Sequence, residues 1–154
     1  MSRQKGQKQT SFTSLPHGLQ DHENFVRLSA PALKLLLNVV RQYNGRNNGD
    51  LCVTLKVMAK QGWTSNETLH TALECLLHYG MLSITRKGNL NRCSLYAITW
   101  RKIDRCNGKL DVSSTTQASS LWKEPRLKWV SKRSQKIRSS IPRGGTRVYR
   151  ETVQ

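Results

Sequence analysis

The sequence predicts an α+β fold, and three observations predict it. Apolar residues recur at helical spacing in three stretches between residues 29 and 80. Two alternating stretches, 81–86 and 92–100, then flank a short polar turn in the manner of a β-hairpin. Finally, nearly all of this periodic pattern lies within residues 29–111, and the segments on either side are polar and basic.

The elements follow in order. Ser29 is a good N-cap, and Pro31 falls in the first turn, where its missing N–H costs nothing. Leu33, Leu36, Leu37 and Val40 form the apolar stripe of this first helix, which Asn44-Gly45 closes. Residues 46–50 read as a turn, and Leu51-Cys52-Val53 as a brief strand. Thr54 caps a second helix carrying Leu55, Met58 and Ala59, stopped at Gly62. Thr64 and Glu67 have the spacing of a capping box, which starts a third helix. That helix carries Leu69, Ala72, Leu73, Leu76 and Leu77 in one stripe and ends at Gly80. The hairpin turn is Lys87-Gly88-Asn89-Leu90-Asn91. Two helices joined by a short Gly-containing turn, followed directly by a hairpin, give the order of a winged helix-turn-helix: three helices plus a β-hairpin wing.

Charge points to the class of partner. Lysine and arginine number 26 against 9 acidic residues, a net charge of +17 over 154 residues. Such an excess repels itself in a compact chain and is relieved by a polyanion. Nucleic acid is the expected one, because each neutralised phosphate releases condensed counterion. Residues 1–28 hold four basic and two acidic residues without periodicity and are expected to form a flexible polar leader, with some order near 25–28. Residues 112–154 hold ten basic and two acidic residues and are expected to be a largely disordered basic tail, in which 113–120 reads as a linker. Its cations Lys132, Arg133, Lys136, Arg138, Arg143, Arg147 and Arg150 would add nonspecific, salt-sensitive attraction. Trp122 and Trp129 are expected to dock onto the domain rather than stack on bases.

Other classes find little support. The polar N-terminus, residues 1–14, lacks the apolar region of a signal peptide, and the apolar run at 35–40 is too short for a membrane span. Cys52, Cys75, Cys93 and Cys106 are widely spaced, so a reducing compartment and small buried thiols are expected instead of a disulfide scaffold. Cys75 and His78 share a helical face, but a zinc site would need two further ligands that the sequence does not suggest. No cofactor is expected. With no carboxylate pair or Gly-rich phosphate loop, and no arrangement that would activate Tyr43, Tyr79, Tyr96 or Tyr149, the chain reads as a non-enzyme.

Helical geometry selects the candidate contacts. The face opposite the leucine stripe of the third helix carries Glu67, Thr71, Glu74 and His78, flanked near its start by Asn66, Thr68 and His70. Recognition helices present their N-terminal residues to base edges, so Ser65, Asn66, His70 and Thr71 are the expected base readers. No lysine or arginine lies between Thr64 and Gly80, and Glu74 repels phosphate unless it accepts from a cytosine amine. Cationic contacts are therefore assigned elsewhere: Lys56 and Lys60 on the second helix, and Arg86, Lys87 and Arg92 around the wing.

The stretch Leu33-Lys34-Leu35-Leu36-Leu37 through Gln42-Tyr43-Asn44-Gly45-Arg46-Asn47-Asn48-Gly49-Asp50-Leu51 resembles a group of proteobacterial prophage and mobile-element winged-helix proteins. Gly62-Trp63, Leu76-Leu77-His78-Tyr79-Gly80 and Leu95-Tyr96-Ala97-Ile98-Thr99-Trp100 carry the same likeness, which covers about residues 26–111. More distantly the chain is similar to the winged-helix domains of plasmid and phage replication initiators. The resemblance implies a winged helix encoded on a mobile element, placed in a bacterial cytoplasm with the nucleoid. The expected function is double-stranded DNA binding by a regulator of transcription or replication. RNA or ribosome binding and replication initiation stand as alternatives, as does a protein-interaction adaptor. The first helix is the surface that could pair across a two-fold axis in a homodimer.

Overall fold

Residues 12–140 are described by the structure, a computed structural model; of 137–140 only the backbone is described. The Ser29 hydroxyl accepts from the Ala32 N–H and starts α3 (Ala30–Val40), which follows two short helices, α1 (His17–Gln20) and α2 (Glu23–Val26). The buried stripe of α3 is Ala32, Leu35, Leu36, Val39 and Val40, while Leu33 is half-buried and Leu37 is 41% exposed. The stripe is thus rotated from the expected Leu33, Leu36, Leu37, Val40. Three consecutive leucines satisfy either phase of the period, and only packing chooses between them. The helix also ends at Val40, before the expected stop at Asn44-Gly45.

β1 (Leu51–Cys52) leads to Thr54, whose hydroxyl accepts from the Val57 N–H and starts α4 (Leu55–Met58). A 3-10 turn (Ala59–Gln61) and left-handed Gly62 end this unit, leaving Met58 buried and Ala59 exposed. α5 (Asn66–His78) begins one residue later than the Thr64 box requires. Ser65 is its N-cap, accepting from the Thr68 N–H at 3.2 Å, so the Thr64–Glu67 box does not form. α5 buries Leu69, Ala72, Leu73, Cys75 and Leu76 and packs against α3. Gly80, at φ +68°, turns the chain into β2 (Leu82–Arg86), which pairs with β3 (Leu95–Ile98).

The three strands form one antiparallel sheet in the order β1-β3-β2, with Leu51 and Ile84 both opposite Tyr96 and Leu82 opposite Ile98. The loop between β2 and β3 runs over 87–94, longer than the expected turn at 87–91 because β3 begins at Leu95 and not at Arg92, and it is narrowed by a bridge between Asn89 and Arg92. The chain is therefore mixed α+β, with six α-helices among the described residues. Its order α3-β1-α4-α5-β2-β3 is compatible with a winged helix. Fully buried Asn48 ties the sheet to the chain beyond it. Its amide donates to the Ile98 and Lys102 carbonyls at 3.0 and 2.8 Å and accepts from the Ile98 N–H at 2.7 Å.

Both flanks differ from expectation. In the supposed flexible leader, Leu19 and Asn24 are buried, and Leu15, Phe25 and Leu28 pack against the core. Residues 112–131, expected to be disordered, instead form a strap along the domain. Its backbone is held by N–H donations from Thr115 to the Ile103 carbonyl and from Ser120 to the Thr99 carbonyl. The Asn24 amide donates to the Trp122 and Glu124 carbonyls at 2.8 and 2.7 Å, and the Trp129 N–H donates to the Tyr79 hydroxyl at 3.0 Å. Trp122 and Trp129 pack against the core, as docking requires. The core thus draws on residues from Leu15 to Trp129, a wider span than 29–111. A cationic composition favours disorder only when a segment has no apolar surface to bury, and two tryptophans supply it here. Beyond the strap, Ser131 accepts from the Ser134 N–H and begins α6 (Lys132–Ser140). Arg143, Arg147 and Arg150 lie outside the described residues.

Candidate nucleic-acid interface

The first turn and a half of α5 is open and the remainder is covered. Ser65, Asn66, Glu67, Thr68 and His70 are exposed. Ser65 is at the same time the cap of its own helix, so its hydroxyl oxygen is already engaged by the Thr68 N–H. Thr71 is only half-buried, but it lines a groove of about 280 Å³ whose other wall is Trp129, Ser131 and Arg133 of the C-terminal segment. Further along, the Lys132 ammonium sits 2.6 Å from a Glu74 carboxylate oxygen, and His78 Nε2 is 2.8 Å from the Leu127 carbonyl oxygen. Of the four expected base readers, Asn66 is thus open, His70 is exposed with its Nδ1 3.7 Å from a Glu74 carboxylate oxygen, Ser65 is open but capping, and Thr71 faces the strap.

The cations separate in the same way. Lys56 on α4 and Lys60 in the following 3-10 turn are exposed and make no side-chain hydrogen bond or ion pair among the described residues. The side chains of Lys87 and Arg92 at the hairpin are likewise exposed and unpaired among the described residues. Arg86 is different. Its guanidinium donates to the Cys93 carbonyl at 3.0 Å and to the Lys109 carbonyl at 3.4 Å, so it fastens the root of the hairpin instead of facing solvent. A strand-end arginine one residue from an exposed lysine looks identical in sequence; the bulge between Ile84 and Arg86 turns it inward.

One cation near α5 escaped sequence reasoning. Lys34 on α3 donates to the Gly62 carbonyl at 3.4 Å, lies 5.1 Å from the Trp63 ring centre, and shares a groove with Thr64, Ser65 and Thr68. It stands about thirty residues before the helix it borders, and the only hint was Trp63 as a ring on which a cation can rest.

The thiols are less isolated than their spacing suggested. Cys52, on β1, and Cys93, in the hairpin loop just before β3, bring their sulfurs to 3.6 Å, while Cys75 is fully buried on α5. Burial pushes the Cys52, Cys75 and Cys106 thiols above their ordinary value, away from the nucleophilic thiolate. Among the described residues no group of three or more His, Cys, Asp or Glu could hold a metal, and no helix is long and apolar enough to cross a membrane.

Set beside protein-family models, curated proteins and solved structures, the chain matches none of them.

Proposed function

We propose that the chain binds double-stranded DNA as a winged helix-turn-helix protein and serves a phage or other mobile element as a regulator of transcription or replication. One observation carries the reading. The helix that follows the short Gly62-containing turn leaves its N-terminal end open, in a domain whose hairpin bears two exposed cations that are unpaired among the described residues. The start of such a helix is where base edges are met, and Asn66 suits adenine through its paired donor and acceptor. His70 can serve several bases. Lys56, Lys60, Lys87 and Arg92, with Lys34 added, supply the phosphate contacts, and the net charge of +17 sets a strong salt dependence.

Selection of bound fragments from a random duplex pool, with RNA as competitor, tests this reading. The expected result is enrichment of a defined duplex motif that survives excess unrelated DNA. Preferential recovery of RNA, or binding that vanishes at moderate salt with no sequence preference, would count against it.

A further inference from the structure

α5 contains two glutamates and no lysine or arginine, so its own polar side carries the wrong sign for a phosphate backbone. The structure brings the missing charge from elsewhere. Trp129 is fastened to Tyr79 and packed on the core, and the chain leaves it to start α6 beside the middle of α5. The sequence of α6, Lys-Arg-Ser-Gln-Lys-Ile-Arg-Ser-Ser, holds four cations and no acid. At 100° per residue, Lys132, Arg133 and Lys136 fall within about 100° of one another on the helix circumference. All three are exposed, and Lys132 remains 81% exposed even while paired with Glu74. The Lys132 ammonium has three N–H donors, so it can hold Glu74 and still offer its open side to a phosphate oxygen. Glu74 thereby acts as a positioning residue, holding the first turn of α6 alongside α5 where an unopposed carboxylate would otherwise repel DNA.

We infer that α6 and the open start of α5 form one duplex-DNA surface, in which Asn66 and His70 face bases while Lys132, Arg133 and Lys136 hold the adjacent phosphates. The inference rests on the DNA-binding reading above and adds a second contacting element to it. Arg133 strengthens the link, because it lines the same groove as Thr71 and Glu67 of α5. Cation placement, and not bulk charge, is what this predicts.

The experiment uses the full chain and the duplex motif obtained by selection. In the triple variant Lys132→Gln, Arg133→Gln, Lys136→Gln, affinity at 0.1 M salt should fall about 10- to 100-fold, and the slope of log affinity against log salt should shrink by about 2 to 3. The preferred motif should stay the same, since phosphate contacts carry no sequence information. A charge-retaining triple, Lys132→Arg, Arg133→Lys, Lys136→Arg, should restore both quantities. A charge-matched control at exposed positions elsewhere, Arg41→Gln, Arg46→Gln, Lys102→Gln, should change the slope by less than about 1. Equal losses in the test and control triples would overturn the inference, because bulk charge alone would then explain them. Tighter binding by the test triple would also overturn it, making α6 a cover over the surface. If the wild-type chain selects no duplex motif at all, the DNA-binding reading itself falls before any variant is made.

Discussion

The two ends of α5 have similar composition and opposite surroundings. Its start offers Asn66, Thr68 and His70 to solvent, whereas Thr71, Glu74 and His78, further along the same polar side, meet the strap and the start of α6. Helical periodicity treats both ends alike, since each places polar groups opposite a buried stripe. The difference comes from a segment fifty residues away, whose tryptophans have nowhere better to go than the domain surface. An amphipathic helix therefore shows which side is polar, and not which part of that side is free.

The largest test of this contrast is at Gly80. A β-carbon there would lie 2.5 Å from the Leu121 carbonyl oxygen, and the residue sits at φ +68°, which L side chains rarely adopt. Gly80→Ala should cost about 2–4 kcal/mol, from backbone strain plus displacement of the strap. Urea unfolding would measure the loss, and red-shifted tryptophan emission would report release of Trp122 and Trp129. An unchanged midpoint and spectrum would mean that the strap does not press on the end of α5.

A comparison of Asn66→Ala with Thr71→Ala sharpens the contrast at the level of binding. Loss of Asn66 from a base contact should weaken the selected duplex by about 1–3 kcal/mol. Thr71→Ala, at a position lined by the strap, should stay within about 0.5 kcal/mol. Titration of the same two variants against one labelled duplex decides it, and equal losses would erase the distinction between the ends.

The smallest effect concerns pH. Cys75, inside the covered part of α5, is held neutral by burial, as are Cys52 and Tyr96. Their folded pKa values are raised, so the unfolded chain ionises first as pH rises. The stability tied to the neutral forms is complete below about pH 9 and is lost above it. Thermal midpoints should hold level between pH 7 and 8.5 and decline beyond pH 9. In Cys75→Ala that decline should be shallower, although the starting midpoint is lower because a buried side chain is removed.

Much of the fold was legible. Ser29 and Thr54 cap helices as their residue types suggest, Gly62 and Gly80 end them, and a hairpin follows α5, with a longer loop and a shorter second strand than expected. Legibility failed where two neighbouring choices had equal local merit. Thr64 and Ser65 can each cap a helix, and Leu33 to Leu37 fit two phases of one stripe. For the candidate site, Asn66, His70, Lys56, Lys60, Lys87 and Arg92 are exposed, as contact would require. Arg86 is withdrawn, Thr71 is hemmed by the strap, and Lys34 joins from another helix.

By itself the sequence determined the kinds of element, their order and the sign of the charge, because caps, turns and periodicity act over a few residues and charge merely adds. Tertiary structure alone decided the phase of α3, the docking of residues 112–131, the inward turn of Arg86 and the pairing of Lys132 with Glu74. Each of those depends on which surfaces are still unburied once the elements meet. No local window of sequence contains that competition, since its members, such as Asn24 and Trp122, lie nearly a hundred residues apart.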